Sequence, residues 1–313
     1  MEIARRKQEI SLDLSGGSAA TIGNFDGVHK GHARLIERVL AKARTRSLAS
    51  VVVTFCPHPL QVLVGPHTPP FITVRDQKLD LIEDLGVDLT MLLEFNREMA
   101  SLSPRDFVHK YLVDWLNVKE LVVGYDYTFG KGRQGNFAML TELGREFGFN
   151  VERLDPVIIN DAIVSSTRIR DHIKAGEVFA VRPLLGRFYV VRGKVVSGES
   201  RGRLLGFPTA NLTLENEVSP KNGVYAVWAQ LNGRLLPAVA NLGYKPTFEG
   251  KKLSFEVHIL DFAEDIYGHE LRVHFVQFIR PEQKFSGPDE LIARIREDAA
   301  LARRILAAPE AQL

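Results

Sequence analysis

Apolar positions along the chain change their period near residue 185. Before it, short continuous aliphatic runs alternate with stretches in which apolar side chains recur every three or four positions. Residues 19–22, 50–55, 89–93 and 121–124 read as strands, and the run Val51-Val52-Val53 suits a strand covered on both faces. Helical spacing marks residues 32–46, where Leu35, Ile36, Val39, Leu40 and Ala43 share a face, and recurs over 74–85, 104–116 and 137–147. Gly86 and Gly148 are placed to end two of these helices, and Pro104 suits a first turn. Strand and helix alternating over short connections predict a Rossmann-like α/β unit, with a parallel sheet and right-handed crossovers.

After residue 185 the runs shorten and turn residues separate them. Strands are predicted at 188–196, 223–231, 238–242, 253–260 and 270–279, with Asn232-Gly233 as a hairpin signal between two runs. Only 289–306 is helical there, with Leu291, Ile295, Ala299, Ala302 and Ile305 on one face. Many short strands and one terminal helix predict a small antiparallel β-barrel. The expected division is therefore residues 1–185 and 186–313, joined by a short linker near 175–186. A length of 313 residues agrees with two domains at roughly 150 residues each.

Composition narrows the class further. Hydrophobic residues make up 45% and charged residues 25%, values that set disordered and fibrous chains aside. Forty basic against 38 acidic side chains leave +2, too little to pull the molecule onto nucleic acid or acidic membranes, although a local phosphate site remains compatible. The single cysteine, Cys56, excludes an internal disulfide and a four-thiolate zinc site, and fits a reducing compartment. Residues 1–10 lack a following apolar stretch, and no run approaches the ~20 residues needed to span a bilayer. The expectation is a cytoplasmic protein with no nucleic-acid or membrane partner; oligomeric state is not legible.

The richest chemistry in the first domain lies between its first strand and first helix: Gly23-Asn24-Phe25-Asp26-Gly27-Val28-His29-Lys30-Gly31-His32. In open α/β sheets ligands bind outside the carboxyl ends of the strands, often where a helix N-terminus offers free N–H groups to phosphate. Two histidines three apart can face a polyphosphate there and steady the departing pyrophosphate; alternatively, one simply caps the helix. Ser165, Ser166 and Thr167 open a later helix and can cap it or hold phosphate, while Arg168 and Arg170 add charge. Asp126, after a strand and before a glycine-rich turn, reads as a turn residue or a ligand donor. His58 lies between two prolines, packed in its loop or held against a ring.

This segment resembles the His-x-Gly-His nucleotidyltransferases, and the longer string is similar to the prokaryotic FAD synthetase branch. Thr54-Phe55-Cys56-Pro57-His58-Pro59, Val123-Gly124-Tyr125-Asp126-Tyr127-Thr128-Phe129-Gly130 and Val164-Ser165-Ser166-Thr167-Arg168-Ile169-Arg170 follow in family order, with Val164 where isoleucine is usual. The resemblance implies that Gly23, Asn24, Phe25, Asp26, Gly31, Ser165, Ser166, Thr167, Arg168 and Arg170 bind ATP. It further implies that His29 and His32 are catalytic and that His58, Asp126 and Phe129 bind flavin.

In the second domain, residues 193–212 leave one strand, make a glycine-rich loop and enter another, without the Gly-Lys-Ser/Thr of a Walker loop. Thr209 and Asn211 leave the same face of an extended segment, able to share a magnesium ion or to form a cross-strand hydrogen bond. On the strand around 253–260, Phe255, Val257 and Ile259 alternate with Glu256 and His258, a pattern that by itself marks a solvent-facing polar side. The string Gly206-Phe207-Pro208-Thr209-Ala210-Asn211 resembles the riboflavin kinases, and matches continue at 222–226, 241–248, 255–262, 265–268 and 279–285. That family implies a six-stranded barrel that phosphorylates the ribityl 5′-hydroxyl with magnesium-ATP. Glu256 would be its general base, Thr209 and Asn211 its metal ligands, and Gly198, Gly202, Arg203, Gly206, Phe207 and Asn222 its ATP contacts.

Together the resemblances imply a bifunctional riboflavin kinase/FAD synthetase acting on riboflavin, FMN, FAD and ATP with Mg2+. A cytidylyltransferase or pantetheine-phosphate adenylyltransferase fused to a barrel, and a flavin-binding protein with a decayed site, are the competing readings.

Overall fold

Aliphatic runs that no face of a helix could bury line up as a parallel sheet. In the computed structural model, which describes residues 1–198, 202, 205–247 and 250–313, the chain divides into two units, Met1–Ser165 and Ser166–Leu313. The first unit carries β1 (Glu2–Ala4), β2 (Ser18–Ile22), β3 (Ala49–Cys56), β4 (Leu89–Glu94), β5 (Val118–Gly124) and β6 (Asn150–Leu154). Their order is β1-β4-β3-β2-β5-β6, all pairs parallel. The chain runs outward from β2 through β3 to β4, then returns to β5 on the other side. The loop after β2 therefore leaves the sheet at its switch point, where ligands of such folds bind.

Helices cover both faces: α1 (Lys30–Arg46), α2 (Pro59–Leu63), α3 (Arg75–Glu83), α4 (Arg97–Ser101), α5 (Pro104–Phe107) and α6 (Phe137–Phe147). The stretch predicted as one helix over 104–116 is α5 continued by a wider π-helical turn, Val108–Trp115, which buries Val108, Tyr111 and Leu112. Ala20, Ile22, Val51, Val53, Met91 and Leu93 point into one core with Phe107, Leu112 and Leu140. On the opposite face Ile36, Val52 and Ile82 pack together, and Ala19 meets Val39 and Ala43. Alternate residues of β2 and β3 thus serve both cores, as a two-sided sheet requires. A small hairpin, β7 (Ile158–Ile159) with β8 (Ala162–Ile163), ends this unit, turning on Asn160 and Asp161 at positive φ.

The second unit opens with α7 (Ser166–Ala175) and α8 (Val178–Leu185). The linker expected near 175–186 is therefore largely helix. Val178, Val181, Leu184 and Leu185 are buried, and Gly186 closes α8 in the left-handed region. The barrel follows, from β9 (Tyr189–Val196), β10 (Ala210–Leu214), β11 (Gly223–Leu231), β12 (Arg234–Thr247), β13 (Gly250–Ile259) and β14 (Glu270–Arg280). It closes in the order β10-β13-β12-β11-β14-β9, antiparallel throughout. Tyr225, Phe255, Val257, Val273 and Phe275 are buried, and α9 (Pro288–Ala307) lays Ala302 and Leu306 against Ala226 and Val276.

Candidate functional sites

The loop after β2 is held in a costly backbone conformation. Phe25 has φ 51° and Val28 has φ 37°, values that side chains with a Cβ, and β-branched ones above all, rarely adopt. The restraints come from behind the loop. Asp26, 5% exposed, accepts from the backbone N–H groups of Ile72 at 2.9 Å and Thr73 at 3.2 Å, while the N–H of Gly27 donates to Thr73 Oγ1 at 3.1 Å. Asp26, expected to contact ATP, is thus largely occupied in fixing the loop.

His29 ends the loop as the N-cap of α1: its Nδ1 accepts the His32 N–H at 3.3 Å. The capping alternative for this pair is realised, and it does not oppose the phosphate-binding one. With Nδ1 engaged as acceptor, a neutral His29 carries its proton on Nε2. The two imidazoles stack at 3.6 Å between centroids and 15° between planes, and Phe25 meets His32 edge-on at 5.1 Å. Gly31 permits this, because a Cβ there would lie 3.0 Å from His29 Cε1. Helix α1 has no acidic residue in its first turn, so its positive end is not offset. Gly23 donates its N–H to the Val53 carbonyl at 3.0 Å and Asn24 is exposed beyond it.

The remaining predicted residues of the first half fall on distinct elements. His58 is the N-cap of α2, accepting from Leu60 N at 3.1 Å, and lies 4.5 Å from the Phe71 ring. Asp126 is exposed in the turn after β5. Phe129 is 7% exposed and packs against Phe107 and Tyr127, so it backs its loop from the core. Ser165 ends the first unit, and Ser166, Thr167, Arg168 and Arg170 lie in α7, which opens the second.

On the barrel, the alternation along β13 separates core from site. Phe255, Val257 and Ile259 are buried, while Ser254, Glu256 and His258 occupy the other face. Glu256 pairs in register with Asn211 of β10 on one side and Asn241 of β12 on the other. Thr209 Oγ1 donates to Glu256 Oε2 at 3.3 Å, and Ser254 Oγ to Oε1 at 3.4 Å. Gly198 makes room for Asn211, since a Cβ there would lie 2.1 Å from its Nδ2. His258 Nδ1 meets the Pro208 carbonyl at 2.8 Å and its ring meets Phe207 edge-on at 5.6 Å, fixing the approach to Thr209. Gly202 accepts the N–H groups of Leu205 and Phe207 at its carbonyl, Gly206 has φ 84°, and Asn222 precedes β11. Arg203 lies outside the described residues. Sequence reasoning missed Thr73 and Lys78 behind the first site, and Asn241 and Ser254 beside the second. Strand alternation pointed to Ser254, whereas Asn241 required the pairing register.

A switch-point loop opening a helix, and a barrel whose outer face gathers a carboxylate with hydroxyl and amide groups, define a two-domain enzyme of phosphate transfer. The FAD synthetase family matches residues 13–168 and the riboflavin kinase family residues 185–306. A bifunctional riboflavin kinase/FMN adenylyltransferase of Escherichia coli K12 is 38% identical over 304 residues, covering 97% of each chain. The Bacillus subtilis enzyme of that name is 39% identical, covering 92% of each. A solved structure from Streptococcus pneumoniae described as a macrolide-efflux protein superposes with TM-score 0.87 at 34% identity, covering 96% of this chain and 98% of that one. No helix among the described residues of the present chain is long and apolar enough to cross a membrane. The chain belongs to the bifunctional riboflavin kinase/FMN adenylyltransferase family, with the adenylyltransferase domain first and the kinase domain second.

Proposed function

We propose that residues 186–313 convert riboflavin and ATP to FMN and ADP, and that residues 1–185 convert FMN and ATP to FAD and pyrophosphate, in the cytoplasm. The observation that carries the kinase assignment is Glu256, flanked by Asn211 and Asn241 and hydrogen-bonded by Thr209. Its carboxylate takes the proton of the ribityl 5′-hydroxyl as that oxygen bonds to the γ-phosphorus and the ADP oxygen departs.

Thr209 Oγ and the Asn211 amide oxygen would hold magnesium. No group of three or more His, Cys, Asp or Glu gathers to hold a metal among the described residues. That donor set fits a hard cation that keeps its waters and takes most other ligands from substrate phosphates. Bound there, magnesium supplies charge neutralisation to the transferring phosphoryl group. Gly198, Gly202, Arg203, Gly206, Phe207 and Asn222 are assigned to the nucleotide.

In the first domain an FMN phosphate oxygen attacks the α-phosphorus of ATP, and the bond to the pyrophosphate oxygen breaks. His29, donating from Nε2, and His32 stabilise the growing negative charge. Gly23, Asn24, Phe25, Asp26, Gly31, Ser165, Ser166, Thr167, Arg168 and Arg170 are assigned to ATP, with Asp26 acting through the loop. His58, Asp126 and Phe129 are assigned to the flavin. Chromatography of flavins after incubation with riboflavin, ATP and magnesium tests the reading. FMN followed by FAD is expected from the parent, and unconverted riboflavin from Glu256→Gln. Normal FMN formation by Glu256→Gln would place the base elsewhere.

A further inference from the structure

Behind the strained loop lies a lysine that neither domain's chemistry has absorbed. Lys78, in the first turn of α3, is 7% exposed. Its ammonium donates to three oxygens: the Asn24 carbonyl at 3.2 Å, Thr54 Oγ1 at 3.1 Å and the Phe55 carbonyl at 3.3 Å. Thr54 Oγ1 in turn donates to the Asn24 carbonyl at 3.3 Å. The three acceptors come from the carboxyl ends of β2 and β3, the neighbouring strands at the switch point. No carboxylate lies within salt-bridge distance of Lys78 among the ion pairs of the described residues, and the ionisable groups that face it are Asp26 and Cys56. Burial pushes its pKa down to about 8, against the pull of Cys56 and Asp26.

A buried ammonium held by neutral oxygens is an expensive way to join two strands and a helix. A methionine or leucine at the same place would fill the volume without that cost. What only the ammonium achieves is to fix the Asn24 carbonyl from below, one residue before the positive-φ turn at Phe25 and five before His29. Asp26 is held by residues 72 and 73 a few positions ahead of Lys78 on the same chain segment. The segment from Ile72 to Lys78 therefore grips the loop at Asn24, Asp26 and Gly27.

We propose that Lys78 is a positioning residue of adenylyl transfer, which holds the loop after β2 in the strained shape that presents His29 and His32 to the phosphates. The proposal rests on the adenylyltransferase assignment of that loop. Lys78 itself does not touch substrate; it acts through Asn24.

The test uses the full-length chain with Lys78→Met, Lys78→Arg and Thr54→Val. Steady-state FAD formation from supplied FMN is measured alongside FMN formation from riboflavin, which reads the other domain of the same molecule. If the parent makes no FAD, the adenylyltransferase reading itself fails. With an active parent, Lys78→Met is expected to lower kcat for FAD formation about 10²-fold, the scale of a misplaced catalytic group. KM for ATP and FMN should change less than kcat, and FMN formation should stay at the parent level. Lys78→Arg, which restores charge and donors, should recover most of the loss. Thr54→Val, which removes one acceptor at constant shape, should give a smaller loss of the same kind. A folded Lys78→Met with the parent kcat overturns the proposal. So does a loss that tracks only the fraction of unfolded protein in a thermal melt, without a change in kcat per folded molecule. Should Lys78→Met fail to fold, parent kcat in Thr54→Val overturns it as well.

Discussion

The pair Arg280–Asp298 offers the sharpest separation of the two domains. Arg280 ends β14 and Asp298 lies in the middle of α9; their side chains are 11% and 5% exposed. Nε lies 3.0 Å from both carboxylate oxygens, and one terminal nitrogen donates to Oδ2 at 2.7 Å. Across β11, Val224 pairs with both Arg280 and Asn241, the neighbour of Glu256, so this clamp supports the strand row that carries the candidate kinase site. Asp298→Ala leaves a guanidinium buried without its partner, which costs about 3–5 kcal/mol. For a unit of this size each kcal/mol moves Tm by roughly 3 °C, so about 10–15 °C is expected. The control is Glu297→Ala, whose exposed pair with Arg294 should be worth at most about 1 kcal/mol. The assay heats the full chain in steps and measures FMN formation from riboflavin and FAD formation from supplied FMN. FMN formation by Asp298→Ala should fail about 10–15 °C below the parent, while FAD formation, whose loop and sheet lie in the first unit, should shift less. A kinase midpoint within about 2 °C of the parent, or equal shifts in both activities, would refute the reasoning.

His32→Ala should lower FAD formation from supplied FMN by about 10²–10³-fold and leave riboflavin phosphorylation unchanged, read by product chromatography. Thr209→Ala should raise the magnesium concentration needed for half-maximal FMN formation, measured by titration at fixed ATP. Lys78, lowered to about 8 from its ordinary 10.5, binds fewer protons folded than unfolded between those values. Stability of the first unit should therefore rise with pH across that window, and Lys78→Met should abolish the rise in chemical denaturation followed at several pH values. Arg182 of α8 donates to the carbonyls of Glu310 and Gln312 and lies over the Phe188 ring at 4.5 Å. A fragment of residues 186–313 should accordingly melt below one of residues 166–313, while both phosphorylate riboflavin when cold.

What could be read from the sequence was what a single segment decides. The run of residues 50–55, the capping glycines at 86 and 148, and the Asn232-Gly233 hairpin each carry their structure locally, and the motif strings sit where the strands end. Features that depend on two distant segments were not legible. Helix α8 was read as linker because Pro183 and flanking glycines interrupt an eight-residue element, whose helicity is secured by burying four apolar side chains. Asn241 comes opposite Glu256 only through the pairing register of β12 with β13, two strands whose ends the apolar pattern alone does not mark. Phe129 lies in a motif, yet its ring belongs to the core, since motif membership does not say which side of a loop a residue supports.

The hidden residues explain how the visible ones work. A backbone held at positive φ by Phe25 and Val28 costs about 1–3 kcal/mol for each residue, and such a loop persists only when its surroundings over-determine it. The turn bond from the Val28 N–H to the Phe25 carbonyl, 3.2 Å, closes the loop on itself but does not tie it to the segments behind it. The backbone N–H groups of Ile72 and Thr73, the Thr73 hydroxyl and the Lys78 ammonium do, from a segment some fifty residues on. The barrel site follows the same logic in a different material. Its carboxylate faces Asn241 of β12, whose row continues across β11 to Arg280, clamped by Asp298 of α9, and His258 pins the Pro208 carbonyl just ahead of Thr209. Both candidate sites place their polar side chains at the edge of a structure that is overbuilt beneath them. Loss of activity should therefore follow from substitutions well beneath each motif, and in each case it should spare the chemistry of the other domain.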